Sequence, residues 1–539
     1  MLGPTAHVDS FARDRLPSLD RWPAMPGAGD AYPEFVNAAV ELTDRMVERG
    51  FGDRTALIGA GRSRTYRELA SWTDRLARAL VEDVGVRPGN RVLIRSANTP
   101  AMVACWLAAT KAGAVVVNTM PMLRAGELKA IVDKAEIAFA LCDTRLMEDM
   151  RATQSPFLRR IVGFDGGAGH DAELDRLALA GPAAFDPVRT GRDDVALLGF
   201  TSGTTGVPKA TMHFHRDILA IADHFAADIL QVRSDDVFVG SPPLAFTFGL
   251  GGLAVFPLRF GAAAGLFETV TPPHLLRLIP ELRATVCFTA PTAYRAMLAG
   301  AQDAEPFASL RVAVASGETL PAPIHEAWTR RTGVPILECI GSTEMLHAFI
   351  ANRIDDNGPG RTGRPVRGYE ARIVDDAMRE VPRGTVGRLA VRGPTGCRYL
   401  DDPRQGDYVR DGWNITGDAF LQDEQGYFRF VARNDDMIVS AGYNIAGPEV
   451  EAALLAHAAV RECAVIGAPD PERGQIVQAF VVLAEGERGG DELVKVLQDF
   501  VKARIAPYKY PRSVRFVPEL PKTLTGKIRH AALREAVRS

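Results

Sequence analysis

The apolar run Val195 to Phe200 passes directly into Thr201-Ser-Gly-Thr-Thr-Gly-Val-Pro-Lys209. The first part has the pattern of a buried strand and the second that of a turn. Four hydroxyls, two glycines and a lysine fall within nine residues there. That composition suits an oxyanion. Glycines let backbone N–H groups turn inward, hydroxyls add donors, and Lys209 brings a cation on a flexible stem. Two readings are open, a polar turn between elements and a phosphate holder. The stretch is not a Walker loop, because it has no Gly-Lys-Ser/Thr ending and Pro208 stands where that loop would enter its helix.

The surrounding pattern predicts α/β architecture with largely parallel sheets. Phe35 to Arg49 and Thr65 to Leu80 have amphipathic helical spacing. A strand at Arg91 to Arg95, a helix at Thr99 to Ala112 and a strand at Ala114 to Asn118 make a βαβ unit. Strands at Ile137 to Cys142, Val195 to Phe200, Val237 to Gly240 and Val286 to Thr289 continue the alternation. Beyond about Gly363 the texture changes to short β segments between Gly and Pro, which predicts a small β subdomain. A charged joint, Arg433 to Asp436, then precedes a tail with its own helix and strand pattern. At 539 residues the chain exceeds what one core usually serves. The expected division is a large domain over 1–434 and a small α+β domain over 435–539. Residues 1 to about 30 read as a surface-wrapping or disordered arm.

Composition narrows the partners. A net charge of -3, with 24% charged residues, gives no electrostatic footprint for nucleic acid or an anionic membrane. Small molecules are the expected partners. Six scattered cysteines without a C-x-x-C pair argue against a disulfide framework or zinc site and fit a reducing, cytoplasmic setting. The N-terminus has no basic-then-apolar signal pattern. The uncharged run Val237 to Leu258 is about as long as a membrane span, but its prolines and its Gly249, Gly251 and Gly252 suit a buried loop and helix better.

Four further stretches carry chemistry. In Glu338-Cys-Ile-Gly-Ser-Thr-Glu344, expected just after a strand at Val334 to Leu337, hydroxyls can meet a phosphate while Glu344 holds a magnesium ion. Gly412-Trp-Asn-Ile-Thr-Gly-Asp418 ends in a carboxylate able to accept both hydroxyls of a ribose, and Arg433 can donate to ribose or phosphate oxygens. Pro521-Lys-Thr-Leu-Thr-Gly-Lys527 alone reads as a solvated basic tail.

These motifs, with Arg433-Asn-Asp-Asp-Met-Ile-Val-Ser-Ala-Gly-Tyr-Asn-Ile-Ala-Gly-Pro-Glu-Val-Glu451, stand in an order that resembles the adenylate-forming superfamily of acyl-CoA synthetases. The resemblance runs from about residue 40 to the end. It implies ATP and a carboxylic acid bound between a large domain and a small mobile one. Thr201, Ser202, Thr204, Thr205 and Lys209 would line the phosphate loop. Thr343 would touch the α-phosphate and Glu344 would bind Mg2+. Ser316, Gly317, Glu318 and Thr319 would flank adenine, and Glu338 would accept from its amino group. Asp418 would hold the ribose beside Arg433. Asp435 matches the hinge position, and Lys527 the mobile catalytic lysine. Ser440, Ala441 and Gly442 would meet the coenzyme A tunnel, with Ala441 standing where the family often has glycine.

The acid pocket is expected from Ser241 to Gly252, with Phe246, Thr247, Phe248 and Gly249 forming a flat apolar slot. The stretch Cys287 to Tyr294, including Ala290, supplies another wall, with Gly341 and His347 nearby. His347 either faces the ring or carboxylate or is an ordinary structural histidine. The combination is most similar to benzoate and 2-aminobenzoate CoA ligases, and Thr247 with His347 tilts the reading towards an ortho amino group. The predicted activity is activation of an aryl acid to acyl-AMP followed by transfer to coenzyme A. A medium-chain fatty acid ligase stays open, as does a stand-alone adenylating enzyme loading a carrier-protein phosphopantetheine. The chain's end soon after Lys527 favours free coenzyme A. A homodimer is compatible with everything above.

Overall fold

In the computed structural model the residues described are 2–27, 31–59, 61–167, 169, 171–201, 208–433, 437–440, 443–470, 473–505, 507–522 and 528–538. The strand Val115–Thr119 is β-branched at three successive positions and buried throughout, as a parallel strand covered on both faces must be. It lies in a six-stranded sheet ordered Arg160–Phe164, Phe139–Asp143, Arg91–Arg95, Val115–Thr119, Val195–Thr201 and Lys209–Phe214. All pairings are parallel except the last, where the chain returns antiparallel with Thr201 opposite Lys209.

A nine-stranded sheet packs beside it, parallel through its interior strands Thr55–Gly59, Ala263–Gly265, Val237–Gly240, Val286–Thr289, Val312–Ala315 and Ile336–Gly341. Helix Pro100–Lys111 is buried almost all round, which its run of Ala, Met, Val, Cys, Trp and Leu allows. Thr99 caps it by accepting the Met102 N–H at 3.1 Å, and Pro100 takes the first turn. Lys111 ends that helix fully buried, matched by Asp44 at 2.7 Å and Asp74 at 2.6 Å. Helix Tyr66–Ala79 opens on a reciprocal capping box between Thr65 and Glu68.

The expected helix at Phe35 to Arg49 is instead broken. It starts at Ala38 behind the Asn37 cap, is interrupted at Thr43 (φ -129°, ψ -78°) and ends in a wide turn closing on Gly50 at φ 89°. The uncharged run after Val237 folds as a strand and then a kinked helical stretch from Thr247 to Arg259 inside the core. Among the described residues no helix is long and apolar enough to cross a membrane. The N-terminal arm wraps the six-stranded sheet. The Thr5 hydroxyl and the Ala6 N–H both donate to Asp194, and Phe11 lies under the guanidinium groups of Arg15 and Arg91.

The β subdomain is an antiparallel sheet built on Gly387–Arg392 and Trp413–Gln422, with Glu370–Val374, Val409–Arg410 and Phe428–Arg433 beside them. The tail has its own sheet, in which Gly474–Leu483 is flanked by Val460–Asp470 and Met437–Ser440 and paired in parallel with Ser513–Phe516. A separate core of Ile438, Val450, Leu454, Val477, Val481, Leu497 and Val501 holds it together. The expected boundary at 434/435 lies outside the described residues. Glu462 on the tail meets Arg295 of the large domain at 3.9 Å and Lys522 at 2.8 Å.

Candidate active site

The returning strand Lys209–Phe214 takes a second neighbour that local sequence does not announce. Segment 397–400 lies along it, with the Met212 N–H donating to Arg398 O at 2.8 Å and the Leu400 N–H to Ala210 O at 2.8 Å. Arg398 fixes the segment. Its fully buried guanidinium pairs with the equally buried Asp217 and lies 4.0 Å from the Phe214 ring centroid. Tyr399 is thereby delivered to the site. Its hydroxyl donates to Glu344 Oε1 at 2.6 Å, and its ring centroid is 5.3 Å from Lys209 Nζ. The Tyr399 ring meets Tyr408 edge-on at 5.8 Å, and the Tyr408 hydroxyl lies 3.2 Å from Ser342 Oγ.

Lys209 is therefore joined through two tyrosines to Ser342 and Glu344, more than a hundred residues later in sequence. Burial and the charge of Glu344 push both phenols well above their usual ionisation, and the charge of Asp418 acts on Tyr408 in the same direction. Asp418 thus faces the same cluster. It sits near the middle of Trp413–Gln422, directly opposite Arg433 in the strand register.

Glu338 belongs to the strand Ile336–Gly341 rather than following one, which corrects the expected boundary at Leu337. Its side chain is buried and accepts the Leu320 N–H at 3.3 Å. Burial raises its ionisation from 4.5 to about 8, so near neutral pH it is a carboxylic acid with one oxygen able to accept and one hydroxyl able to donate. The Ser316 hydroxyl donates to Cys339 O at 2.9 Å, holding the turn of Ser316, Gly317, Glu318 and Thr319 against that strand. Thr343 O accepts from His213 Nε2 at 2.8 Å. A carbonyl only accepts, so this ring nitrogen carries the proton. Burial lowers the His213 ionisation to about 4 and keeps the imidazole neutral. Gly199 makes room for the turn, since a Cβ there would stand 2.6 Å from Thr343 Cγ2 and 3.7 Å from Thr247 Cγ2.

The other side of the Thr343 turn is aromatic. His347 is 2% exposed and lies among Phe256 at 4.6 Å, Phe225 at 5.1 Å and Phe248 at 5.7 Å between ring centroids. Phe288 joins Phe248 at 5.4 Å. No side chain among the described residues pairs with a His347 ring nitrogen, the polar group that reaches the ring is the Phe248 backbone, and burial takes its ionisation down to about 3. Gly251 and Gly341 are required by this packing. A Cβ on Gly251 would lie 2.4 Å from the His347 ring, and one on Gly341 would lie 2.5 Å from His347 O. Gly249 lies against the backbone of Pro242 and Pro243, where a Cβ would collide at 2.1 Å. Ala290 follows the strand Val286–Thr289 and caps helix Pro291–Gly300.

The geometry thus brings together Lys209, Thr343, Glu344 and Asp418 on one side, and Thr247, Phe248, Gly341 and His347 on the other. Phe246 is not part of the aromatic cluster, being 38% exposed without a ring contact among the described residues. Ser440 ends the strand Met437–Ser440 on the tail, buried and opposite Gly474. Ser202, Thr204, Thr205, Asp435, Ala441, Gly442 and Lys527 lie outside the described residues, and Arg433 is described by its backbone alone. Sequence reading missed Tyr399, Tyr408 and His213. No local pattern marks them, because their contacts come from strands far away in the chain.

The donor set fits a magnesium ion that arrives with a polyphosphate. Glu344 is a lone carboxylate, and among the described residues no group of three or more His, Cys, Asp or Glu could hold a resident ion. Mg2+ keeps several waters and needs only one or two carboxylates beside substrate phosphates.

Residues 45–398 match the family model of AMP-binding enzymes, and residues 449–527 match the model of the AMP-binding enzyme C-terminal domain. The benzoate–CoA ligase of Thauera aromatica is 36% identical over 511 residues, covering 94% of this chain and 97% of that protein. The solved anthranilate CoA ligase AuaEII in complex with anthranoyl-AMP superposes with a TM-score of 0.88 at 33% identity, over 94% of this chain and 98% of that one. A benzoate CoA ligase from Burkholderia xenovorans LB400 superposes with a TM-score of 0.85 at 33% identity, over 93% of this chain and all of that one. With both family models matched in order across the fold, the chain belongs to the AMP-binding enzymes and is a ligase of the adenylate-forming acyl-CoA synthetase superfamily.

Proposed function

We propose that this ligase activates an aromatic carboxylic acid, benzoate or 2-aminobenzoate in the first instance, to acyl-AMP and passes the acyl group to the thiol of coenzyme A. The observation that carries the choice of acid is the cluster of Phe225, Phe248, Phe256 and Phe288 around a neutral His347 that has no side-chain partner among the described residues, beside the Thr343 turn. A ring packs edge-protected against such a cluster, and an imidazole without a side-chain partner offers a contact to an ortho amino group or to the carboxylate. The matched relatives named for benzoate and anthranilate support the same class.

The chemistry asks for charge control. A carboxylate oxygen attacks the α-phosphorus of ATP, the bond to pyrophosphate breaks, and negative charge spreads over the transferring oxygens. Thr343 and the hydroxyls of Thr201, Ser202, Thr204 and Thr205 donate to those oxygens, with Lys209 orienting the leaving pyrophosphate. Mg2+ held through Glu344 neutralises phosphate charge when bound. Asp418 accepts the ribose hydroxyls with Arg433 beside it, and Glu338 with residues 316–319 encloses adenine. Lys527 reaches in from the tail for this first step. Rotation at Asp435 then withdraws it and brings Ser440, Ala441 and Gly442 to the thiol path, so that coenzyme A sulfur attacks the anhydride carbonyl and AMP leaves. The six cysteines are all buried and unpaired, which supports a cytoplasmic setting.

Pyrophosphate release across benzoate, 2-aminobenzoate, hydroxybenzoates and octanoate, with and without coenzyme A, tests the proposal. Release driven by an aryl acid, with a thioester formed once coenzyme A is present, is expected. Octanoate outrunning every aryl acid would overturn the aromatic reading, and thioester formation only on a phosphopantetheinylated carrier protein would replace the acceptor.

A further inference from the structure

Tyr399 sits at the joint of the polar half of the site, and the reaction as derived gives its hydroxyl no task. The phenol donates to Glu344 Oε1 at 2.6 Å, while Lys209 Nζ lies 5.3 Å from the ring centroid. The residue is pinned from behind. Its N–H donates to Gln405 Oε1 at 2.8 Å, its backbone bridges to Thr211, and the neighbouring Arg398 is anchored on Asp217. The phenol therefore stays in place if the Glu344 carboxylate turns.

A carboxylate has two oxygens, and one of these is committed to a fixed donor. We propose that Tyr399 is a positioning residue that holds Glu344 to one-oxygen ligation, so that the site favours a small octahedral divalent cation carried by the triphosphate over a larger one. The inference rests on Glu344 being the metal-contacting carboxylate. Mg2+ demands near-ideal octahedral geometry, keeps its waters and is satisfied by a single carboxylate oxygen. Ca2+ takes six to eight oxygens and readily accepts both oxygens of one carboxylate. With Tyr399 donating to Oε1, that oxygen has a lone pair and its orientation committed, and Oε2 is the oxygen presented to the ion; without it, Glu344 can turn to present both equally. Lys209 beside the same ring adds a cation near its face and ties the end of the phosphate loop to the same side chain.

Calorimetric titration of ATP into the full-length protein, in Mg2+ and separately in Ca2+, tests this without relying on turnover. Native protein is compared with Tyr399→Phe, Glu344→Gln and the double variant, each checked by thermal melting. Tyr399→Phe is expected to weaken ATP binding in Mg2+ by about tenfold, the scale of a hydrogen bond to a charged group, and to lose much less in Ca2+. In the Glu344→Gln background the Tyr399→Phe step is expected to change neither value. An unaltered Mg2+/Ca2+ ratio in Tyr399→Phe, or the same change in both backgrounds, would overturn the positioning role. If Glu344→Gln leaves the Mg2+ dependence of ATP binding untouched, Glu344 is not the metal carboxylate and the inference falls with it, while the acid panel still tests the ligase reading separately. Should Tyr399→Phe fail to fold, Glu344→Asp draws the carboxylate one methylene away from the phenol. The same loss of Mg2+ preference is expected there, and a native ratio would overturn the proposal.

Discussion

The two sides of the Thr343 turn are built on opposite principles. On the phosphate side the metal-facing carboxylate and the residues behind it are tied to one another. Glu344 is held by Tyr399, Tyr408 meets Ser342, and Arg398 with Asp217 anchors the segment behind them. On the acid side a buried imidazole has no side-chain hydrogen-bond partner among the described residues and is surrounded by phenyl rings. In the proposed reading the phosphate side handles a ligand that never varies, so its geometry can be fixed by charge and hydrogen bonds, and the acid side discriminates by shape.

That contrast can be broken from the polar side first. Lys527→Ala is expected to reduce adenylation by about 100- to 1,000-fold, the scale of losing one fixed charge-stabilising donor. Thioester formation from supplied acyl-AMP should be largely kept; single-turnover assays of each half-reaction check both. Equal damage to both steps would argue against one lysine serving only the first. Arg398→Ala leaves the buried Asp217 charge with only the longer guanidinium contact to Arg216 at 3.6 Å among the described residues. It is expected to cost about 3–5 kcal/mol in denaturant unfolding, with phosphate-side function lost as Tyr399 loosens.

Much of this division was legible in the sequence, and the reason it was incomplete is physical. The Val195–Thr201 strand, the loop after it and the Ser342-Thr343-Glu344 turn are local patterns, and the structure places Lys209, Thr343 and Glu344 together. Tyr399 was invisible because its place depends on segment 397–400 pairing with a strand nearly two hundred residues earlier. Glu338 was placed after a strand rather than inside one because a lone carboxylate interrupts an apolar run. The Leu320 N–H, just past the 316–319 turn, is the donor that accommodates it. Phe246 and Phe248 look equivalent in sequence, yet the helix beginning at Thr247 turns one outward and the other onto Phe288.

Smaller effects sharpen the acid side. His347→Leu replaces a buried polar ring that has no side-chain partner among the described residues with an apolar group of similar size. It is expected to leave stability unchanged or raise it by about 1 kcal/mol, while preference for 2-aminobenzoate over benzoate falls. Calorimetric melting and competition kinetics read the two effects independently. Acid should unfold the protein partly through its histidines. His213 at about 4 and His347 at about 3 stay neutral when folded, whereas an unfolded histidine takes up a proton below 6.5. The unfolded state then binds more protons, so stability is lost as pH falls from 6.5 towards 3.

Glu338 works in the other direction. Its folded ionisation near 8 against 4.5 when unfolded means that the folded state holds the extra proton, so stability falls as pH rises from 4.5 through 8. Glu338→Gln should flatten that limb, giving a melting temperature at pH 8.5 higher relative to the native protein than at pH 5. An unchanged difference between the two pH values would contradict the burial argument.

The division of labour itself is tested most directly by Phe248→Ala, with kcat/KM for benzoate and for octanoate and the KM for ATP measured on the same preparation. The account predicts that the benzoate-to-octanoate ratio falls about tenfold or more while the ATP value stays near native. A shifted ATP KM with an unchanged acid ratio would contradict it, and would place the acid elsewhere than in the slot beside His347.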